Sequence, residues 1–307
     1  MFKMKPALDT KNILPWENSY TSLDLPQHVQ SQTRVSLVIP IFNSGPFLEK
    51  TLRSILMNDL NNVQIIVSDG GSTDETHQIL DHYADLFDVV ISEPDDGQSD
   101  AINKGFAKAN GEILCWLNGD DLFLENALNK VRSFYVEHGK PDFIVGNAFM
   151  TEKDLSPINH FIFTKEKLKF EYLLNYAQNH LIQPSVFFSR RAWDKCGPLD
   201  TKDHYAMDAD LFISMAKNFT GHHLNADLAY SVYHEACKTR GKRAESITQL
   251  ALVQAKHGGL EEAKKTLDIL VSLFNEINGK LDTSVSRSFT EFQSEIYELV
   301  MSGRNAK

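Results

Sequence analysis

From Arg34 onward, short apolar runs rich in β-branched residues alternate with stretches of helical spacing, and each run stops at carboxylates, amides or glycines. Val35-Ser36-Leu37-Val38-Ile39-Pro40 is the first run. Asn43-Ser44-Gly45-Pro46 then turns the chain into a helix carrying Phe47, Leu48, Leu52, Ile55 and Leu56. The second run, residues 63–67, ends in Ser68-Asp69-Gly70-Gly71-Ser72-Thr73-Asp74, with a helix beyond it. Residues 88–92 form the third, broken by Pro94-Asp95-Asp96-Gly97, and residues 99–109 return as helix. The fourth, residues 112–117, ends at Asn118-Gly119-Asp120-Asp121. Strand–helix alternation of this kind implies parallel strands joined by crossovers. Ligands of such sheets sit beyond the carboxyl ends of the strands, where these polar turns fall. The expected fold is α/β: a mixed, mainly parallel Rossmann-like sheet flanked by helices.

The second half is less regular. Residues 142–146, 183–188 and 228–234 are expected to be extended, with helices over 189–195 and after Asp210. Three units follow. Residues 1–33, polar and carrying Pro6, Pro15 and Pro26, are an extended arm. Residues 34–240 are the α/β domain. Residues 241–307 are a helical extension with helices at 247–256, 260–274 and 288–301, the first two separated by Gly258-Gly259. This extension is left with three roles: covering an acceptor, pairing two subunits, or docking a partner.

Composition removes several function classes. The 307 residues carry a formal charge of −10, which disfavours nucleic-acid binding because phosphates need Lys and Arg. An anionic ligand would therefore need a metal, helix N-termini or a few placed cations. No stretch reaches the ~20 apolar residues of a membrane span, and the first residues lack the apolar run of a secretory signal. Cys115, Cys196 and Cys237 have no paired spacing, so neither a disulfide framework nor a zinc site is expected. The expected location is cytoplasmic, with a peripheral membrane position open.

Taken in order, residues 38–43, 67–74, 96–105, 116–121, 183–188, 207–211 and 233–239 resemble the family 2 glycosyltransferases of GT-A fold. The resemblance implies an inverting transfer of sugar from a nucleotide-diphosphate donor, with UDP favoured, to a hydroxyl of a glycan or lipid-linked acceptor. Asn118-Gly119-Asp120-Asp121 corresponds to the family's Asp-any-Asp motif, with Asn118 at the first Asp. It implies hard oxygen ligands for Mn²⁺ or Mg²⁺ from Asp120 and Asp121, with His234 as a later metal or phosphate contact. Alone, the same turn is a helix cap.

The resemblance also gives Asp69 to the nucleotide base, with loop ordering as its alternative, and Asp74 to a helix cap. Pro40, Phe42 and Gly70 would line the same pocket, with the core as the alternative for Phe42. Asp96, Gly97, Asp100, Asn103, Asn118 and Asp120 would complete the nucleotide-sugar site, Asn103 having plain helix surface as its alternative. Asp208 matches the general base, while Met207 replaces the family's usual Glu. Asp208 and Asp210 cannot share a helix face, so one of them points into the site. Gln183 and Trp193 are placed on the acceptor side, with packing as the alternative for Trp193. Two other readings are a sugar nucleotidyltransferase and a noncatalytic nucleotide-sugar-binding scaffold. The first is disfavoured because residues 41–46 hold one glycine and no Lys or Arg.

Overall fold

The computed structural model describes residues 4–15, 33–235 and 242–278. The expected helix at 288–301 and residues 236–241, including Lys238 and Thr239, lie outside them.

β1 (Val35–Ile41) runs parallel between β2 (Val63–Asp69) and β4 (Ile113–Trp116), with Val35 opposite Val63 and Ile113. β3 (Val89–Ser92) extends the parallel half beyond β2. β8 (Val186–Ser189) is antiparallel to both β4 and β6 (Phe143–Thr151), which restores the direction of β6 to that of β4. β9 (Gly221–Val232) runs parallel to β6. β5 (Leu122–Phe123) pairs with β9, and β7 (Pro157–Phe161) with β6, giving the order β3-β2-β1-β4-β8-β6-β9-β5 with β7 beside β6. The carboxyl ends of β1, β2, β3, β4, β6 and β9 therefore open onto one edge.

The central strands are buried on both faces, which explains their nearly unbroken apolar runs. Leu37, Ile39, Ile65 and Val67 pack with Leu48, Leu52 and Ile55 of α1 (Gly45–Leu56) and with Leu128 and Val131 of α4 (Ala127–Glu137). On the opposite face, Val38, Ile66 and Trp116 pack with Ile102 and Phe106 of α3 (Gln98–Lys108) and Phe212 of α8 (Met207–Asn218). α2 (Thr76–His82) follows β2. The short helices α5 (Phe170–Leu173) and α6 (Tyr176–Asn179) precede β8, and α7 (Arg190–Cys196) follows it.

The structure corrects the sequence at two places in the outline. Residues 4–15 are not a free arm. Leu14 is fully buried, and Glu49 of α1 accepts hydrogen bonds from Leu8 N (2.6 Å), Asp9 N (3.2 Å) and Asn12 Nδ2 (2.8 Å). β9 starts at Gly221 rather than near residue 228. Its first half is polar and only half-buried, and its register with β6 slips around Asn147, so no period is visible there.

Two further helices, α9 (Arg243–Lys256) and α10 (Leu260–Asn278), form a hairpin through Gly258, whose φ of +96° suits glycine. The hairpin is docked. Lys256 Nζ and His257 Nε2 each lie 2.6 Å from the Asp210 carboxylate of α8, Gln254 Nε2 donates to Leu174 O (2.9 Å), and Val253 joins the core. Among the described residues, no helix is long and apolar enough to cross a membrane.

Candidate active site

The loops after β1 and β2 are laced together before any ligand is considered. Asn43, at φ +49°, donates from its N–H to Ser72 Oγ (2.8 Å), and its side-chain oxygen accepts from Thr73 N (2.8 Å). Asp74 takes Thr76 N on one oxygen and Gly45 N on the other, both at 3.0 Å, so it caps the starts of α2 and α1 together.

Asp69 is used up within this lacing. It is 1% exposed, with Oδ1 accepting from Ser72 N (3.0 Å) and Ser72 Oγ (2.6 Å) and Oδ2 from Ser92 Oγ (2.8 Å). The expected contact to a base is thus replaced by loop ordering. Pro40 is likewise inside β1 rather than in a pocket. Leu117 N donates to Val38 O, and the β1–β4 ladder ends at Val38, so the side on which Pro40 lacks an N–H has no strand left to pair. Phe42 is 63% exposed at the mouth of the same loops, which rules out its alternative as core.

The β3 end adds Asp95, which the motif reading passed over. A Cβ on Gly70 would come within 2.5 Å of Asp95 Oδ2, so glycine there is what lets this carboxylate approach the β2 turn. Asp95 Oδ1 also accepts from Gly97 N (2.8 Å). Asp96 is exposed, and its N–H donates to Asp100 Oδ2 (3.2 Å), while Asp100 pairs with Lys104 at 3.1 Å. Asn103 is a staple: it donates to Leu199 O and accepts from Leu199 N, both at 2.9 Å, which removes it from the nucleotide-sugar set.

At the β4 end the acidic turn divides its two carboxylates. Asp120 points outward and meets His234 Nε2 at 2.9 Å. The His234 ring stacks on Phe47 (centroids 4.1 Å, 23°), and Lys153 Nζ lies 5.1 Å from the Phe47 ring centre on its way out of β6. Asp121 turns inward, 4% exposed, accepting from Val232 N and Asn118 Nδ2, both at 3.0 Å. Burial, then the charge of Asp120, pushes its carboxyl well above the usual range. Asp121 is therefore corrected from metal ligand to a tie between the turn and β9.

Among the described residues, no group of three or more His, Cys, Asp or Glu side chains is arranged to hold a metal. Asp120 and His234 still offer one hard oxygen and one imidazole nitrogen on the ligand edge. That partial set fits a cation that takes its other ligands from a diphosphate and water.

Asn118 gathers the turn. Its Oδ1 accepts from Gln98 Nε2 (2.7 Å), and its Nδ2 reaches Asp121 and Gln183 Oε1 (3.3 Å). Gln183 in turn donates to Trp116 O (2.9 Å). An aspartate at 118 would lose the donor that faces Asp121 and Gln183, a physical reason for the amide. Next to Gln98, the Ser99 hydroxyl lies 3.0 Å from Asp203 O and 2.8 Å from Met207 Sδ. One short segment at the start of α3 thus joins the acidic turn to the entry of α8.

Asp208 sits in the first turn of α8. Its Oδ1 accepts from Ala209 N (2.8 Å), and burial, reinforced by the nearby Asp203 charge, raises its pKa to about 6. The buried Tyr176 phenol, which donates to Leu181 O (3.4 Å), is pushed up by its burial and then by the charge of Asp208. Asp210 faces the other way, toward Lys256 and His257.

Trp193 does not reach the acceptor side. It is 9% exposed, with its ring centre 4.5 Å from that of Phe106 and 6.1 Å from that of Phe188. A cavity of about 310 Å³ lies instead where β7 meets α5 and α6, lined among others by Phe161, Tyr172, Gln178, Asn179 and His180. Burial lowers the His180 pKa, so that imidazole is neutral at pH 7. Its ring centre is 6.5 Å from that of Tyr176.

The sequence model of the family described as glycosyl transferase family 2 matches residues 36–196. An uncharacterised glycosyltransferase of Rickettsia typhi is 27% identical over 214 residues, 67% of this chain and 65% of that protein, so the match falls short of two thirds of its length. Two solved structures share the fold. TarS of S. aureus, in complex with UDP, has a TM-score of 0.57 at 15% identity, covering 73% of this chain and 65% of that one. The mannosyltransferase PcManGT of Pyrobaculum calidifontis, in complex with GDP-Man and Mn²⁺, has a TM-score of 0.52 at 16% identity, covering 90% and 88%.

Proposed function

This chain belongs to glycosyl transferase family 2, and we propose that it is a glycosyltransferase that moves a sugar from a UDP-sugar to a hydroxyl of a glycan or lipid-linked acceptor, with inversion. The observation that carries the reading is that the acidic turn and the entry of α8 are tied together at the start of α3. Asn118 of the turn donates to Asp121 and accepts from Gln98, and the next residue, Ser99, donates to Asp203 O and Met207 Sδ just ahead of Asp208, whose pKa is raised to about 6.

In this reading the nucleotide lies over the ends of β1, β2 and β3. The exposed Phe42 ring offers a stacking face there, and Asp95 and Asp96 offer acceptors to base or ribose. The diphosphate lies toward Asp120 and His234, with Lys153 supplying local positive charge to a chain of net charge −10. Mn²⁺ or Mg²⁺ at Asp120 and His234 would supply Lewis-acid neutralisation of the leaving diphosphate, as the Mn²⁺ named with the Pyrobaculum enzyme makes reasonable. Asp208 takes the proton of the acceptor hydroxyl, and a pKa near 6 leaves it ionised at neutral pH yet basic enough to accept. The cavity between β7, α5 and α6 receives the acceptor in this reading, because its aromatic faces and side-chain amides suit a neutral sugar ring.

The test is product analysis. The protein is incubated with a panel of UDP-, GDP- and dTDP-sugars as donors and oligosaccharides and polyprenyl-phosphate sugars as acceptors, and the linkage is read by NMR. A product whose anomeric configuration is opposite to the donor's supports the proposal. Retained configuration, or turnover confined to non-uridine donors, contradicts it.

A further inference from the structure

We propose that Gln249 of α9 is a positioning residue for the transfer: it clamps residues 202–206, the segment that leads into Asp208. The helical hairpin thereby becomes part of what sets the base. The inference rests on Asp208 being the base and adds a role for a region outside the family segment 36–196.

Within the segment between α7 and α8, Asp200 accepts from Lys202 N through its side chain (2.9 Å) and from Asp203 N through its carbonyl (3.1 Å). At the start of the segment, Leu199 is held by both ends of the Asn103 amide from α3. At its end, Asp203 Oδ1 accepts from Tyr205 N (3.2 Å) and Ala206 N (2.8 Å), capping α8. Between them a second amide reaches in from the opposite side. Gln249 Oε1 accepts from His204 N (3.1 Å) and Tyr205 N (2.8 Å), and its Nε2 donates to Lys202 O (3.4 Å). One side chain thus satisfies three backbone groups in a run of four residues. Such a bond set is worth making only if the run has to stay where it is.

What the run carries explains why. Its Asp203 carbonyl meets Ser99, its His204 ring borders Gly97 (a Cβ there would sit 3.3 Å from Nδ1), and Asp208 follows one turn later. Farther along α8, Asp210 is pinned to Lys256 and His257 on the same hairpin. α9 therefore grips α8 on both sides of Asp208. Gln249 lies on the outer, partly exposed side of the run, so its removal exposes the two N–H groups to water rather than opening the core.

The experiment compares the full chain with Gln249→Ala and Gln249→Glu, the latter keeping a side-chain oxygen acceptor. Two readouts are taken: amide hydrogen exchange at residues 204 and 205, and steady-state kinetics with the best UDP-sugar. The expected result for Gln249→Ala is lost protection at both amides and a kcat lower by ~10- to ~100-fold, the size of effect that slight misplacement of a reacting group produces. The donor KM should move little, because the donor lies over the β1–β4 ends. Gln249→Glu should restore protection and most of kcat. Unchanged protection in Gln249→Ala, lost protection with unchanged kcat, or equal loss in both variants would each overturn the proposal. Should the wild type turn over no UDP-sugar, the functional reading falls. The exchange result then still decides the clamp, and intact protection in Gln249→Ala removes it.

Discussion

Asp208 and Asn118 show how single residues set the chemistry. Replacing Asp208 by Asn should lower kcat by roughly 10²- to 10⁴-fold, the range of a lost general base. In the wild type, kcat should fall as pH drops through about 6, where the base becomes protonated. Stability moves the other way. A carboxyl whose folded pKa lies above its unfolded value favours the fold at low pH and loses that advantage as pH rises through the folded pKa. Asp208→Asn should therefore raise the melting temperature at pH 8 and leave it unchanged near pH 4. Asn118→Asp should lower stability by about 1–3 kcal/mol at pH 8, measured by urea unfolding, because it turns a donor into a second negative group against Asp121. At this scale the sequence was only partly legible. Asp120 and Phe42 are open to solvent just beyond the strand ends, but Asp69, Asn103, Asp121 and Trp193 have inward partners. A motif shows that a carboxylate follows a strand; it does not show that Ser72 and Ser92 have already claimed it. Gln98 and Asp95 lay inside quoted motifs and were missed, since their roles arise from contacts with Asn118 and Gly70.

Elements with two-sided burial were the legible ones. β1, β2 and β4 announced themselves through apolar runs, and α1 and α3 through spacing. The buried β5 is too short, at two residues, to show a pattern, and the exposed β7 and the polar start of β9 carry none because pairing rather than burial holds them. The docking of residues 4–15 was also hidden, since it depends on tertiary partners: Leu14 packs with Met57, Leu122 and Val232, Arg53 donates to Lys5 O (2.9 Å), and the buried Glu49 carboxylate gathers Leu8, Asp9 and Asn12. Burial raises the Glu49 pKa, but donors from Asn12, Leu8 and Asp9 outweigh it and hold the group below its usual value. Its contribution is present above the unfolded pKa and is lost as pH falls through the folded one. Glu49→Ala should cost about 3 kcal/mol at pH 7, with a smaller loss at pH 3, as read by thermal unfolding. Protease cleavage within residues 4–15 should accelerate in the same variant.

For the whole molecule, the alternation of strands and helices implied parallel strands with their carboxyl ends on one side, which is how β1–β4 are arranged. In the proposed reading the nucleotide half and the acceptor half of that edge come from different parts of the chain, β1–β4 and β6–β8 with α8. The hairpin braces the second half from behind. Its docking through Asp210, Gln254 and Val253 could not be read from spacing alone, since periodicity shows a helix face but not what covers it. The central claim is that Asp120 and His234 hold a cation that the donor's diphosphate completes. It is tested most directly by calorimetric titration of UDP into the full chain, with and without Mn²⁺, beside Asp120→Ala. The account predicts binding that needs Mn²⁺ and disappears in the variant. Equal UDP affinity with and without Mn²⁺, unchanged in Asp120→Ala, would contradict it.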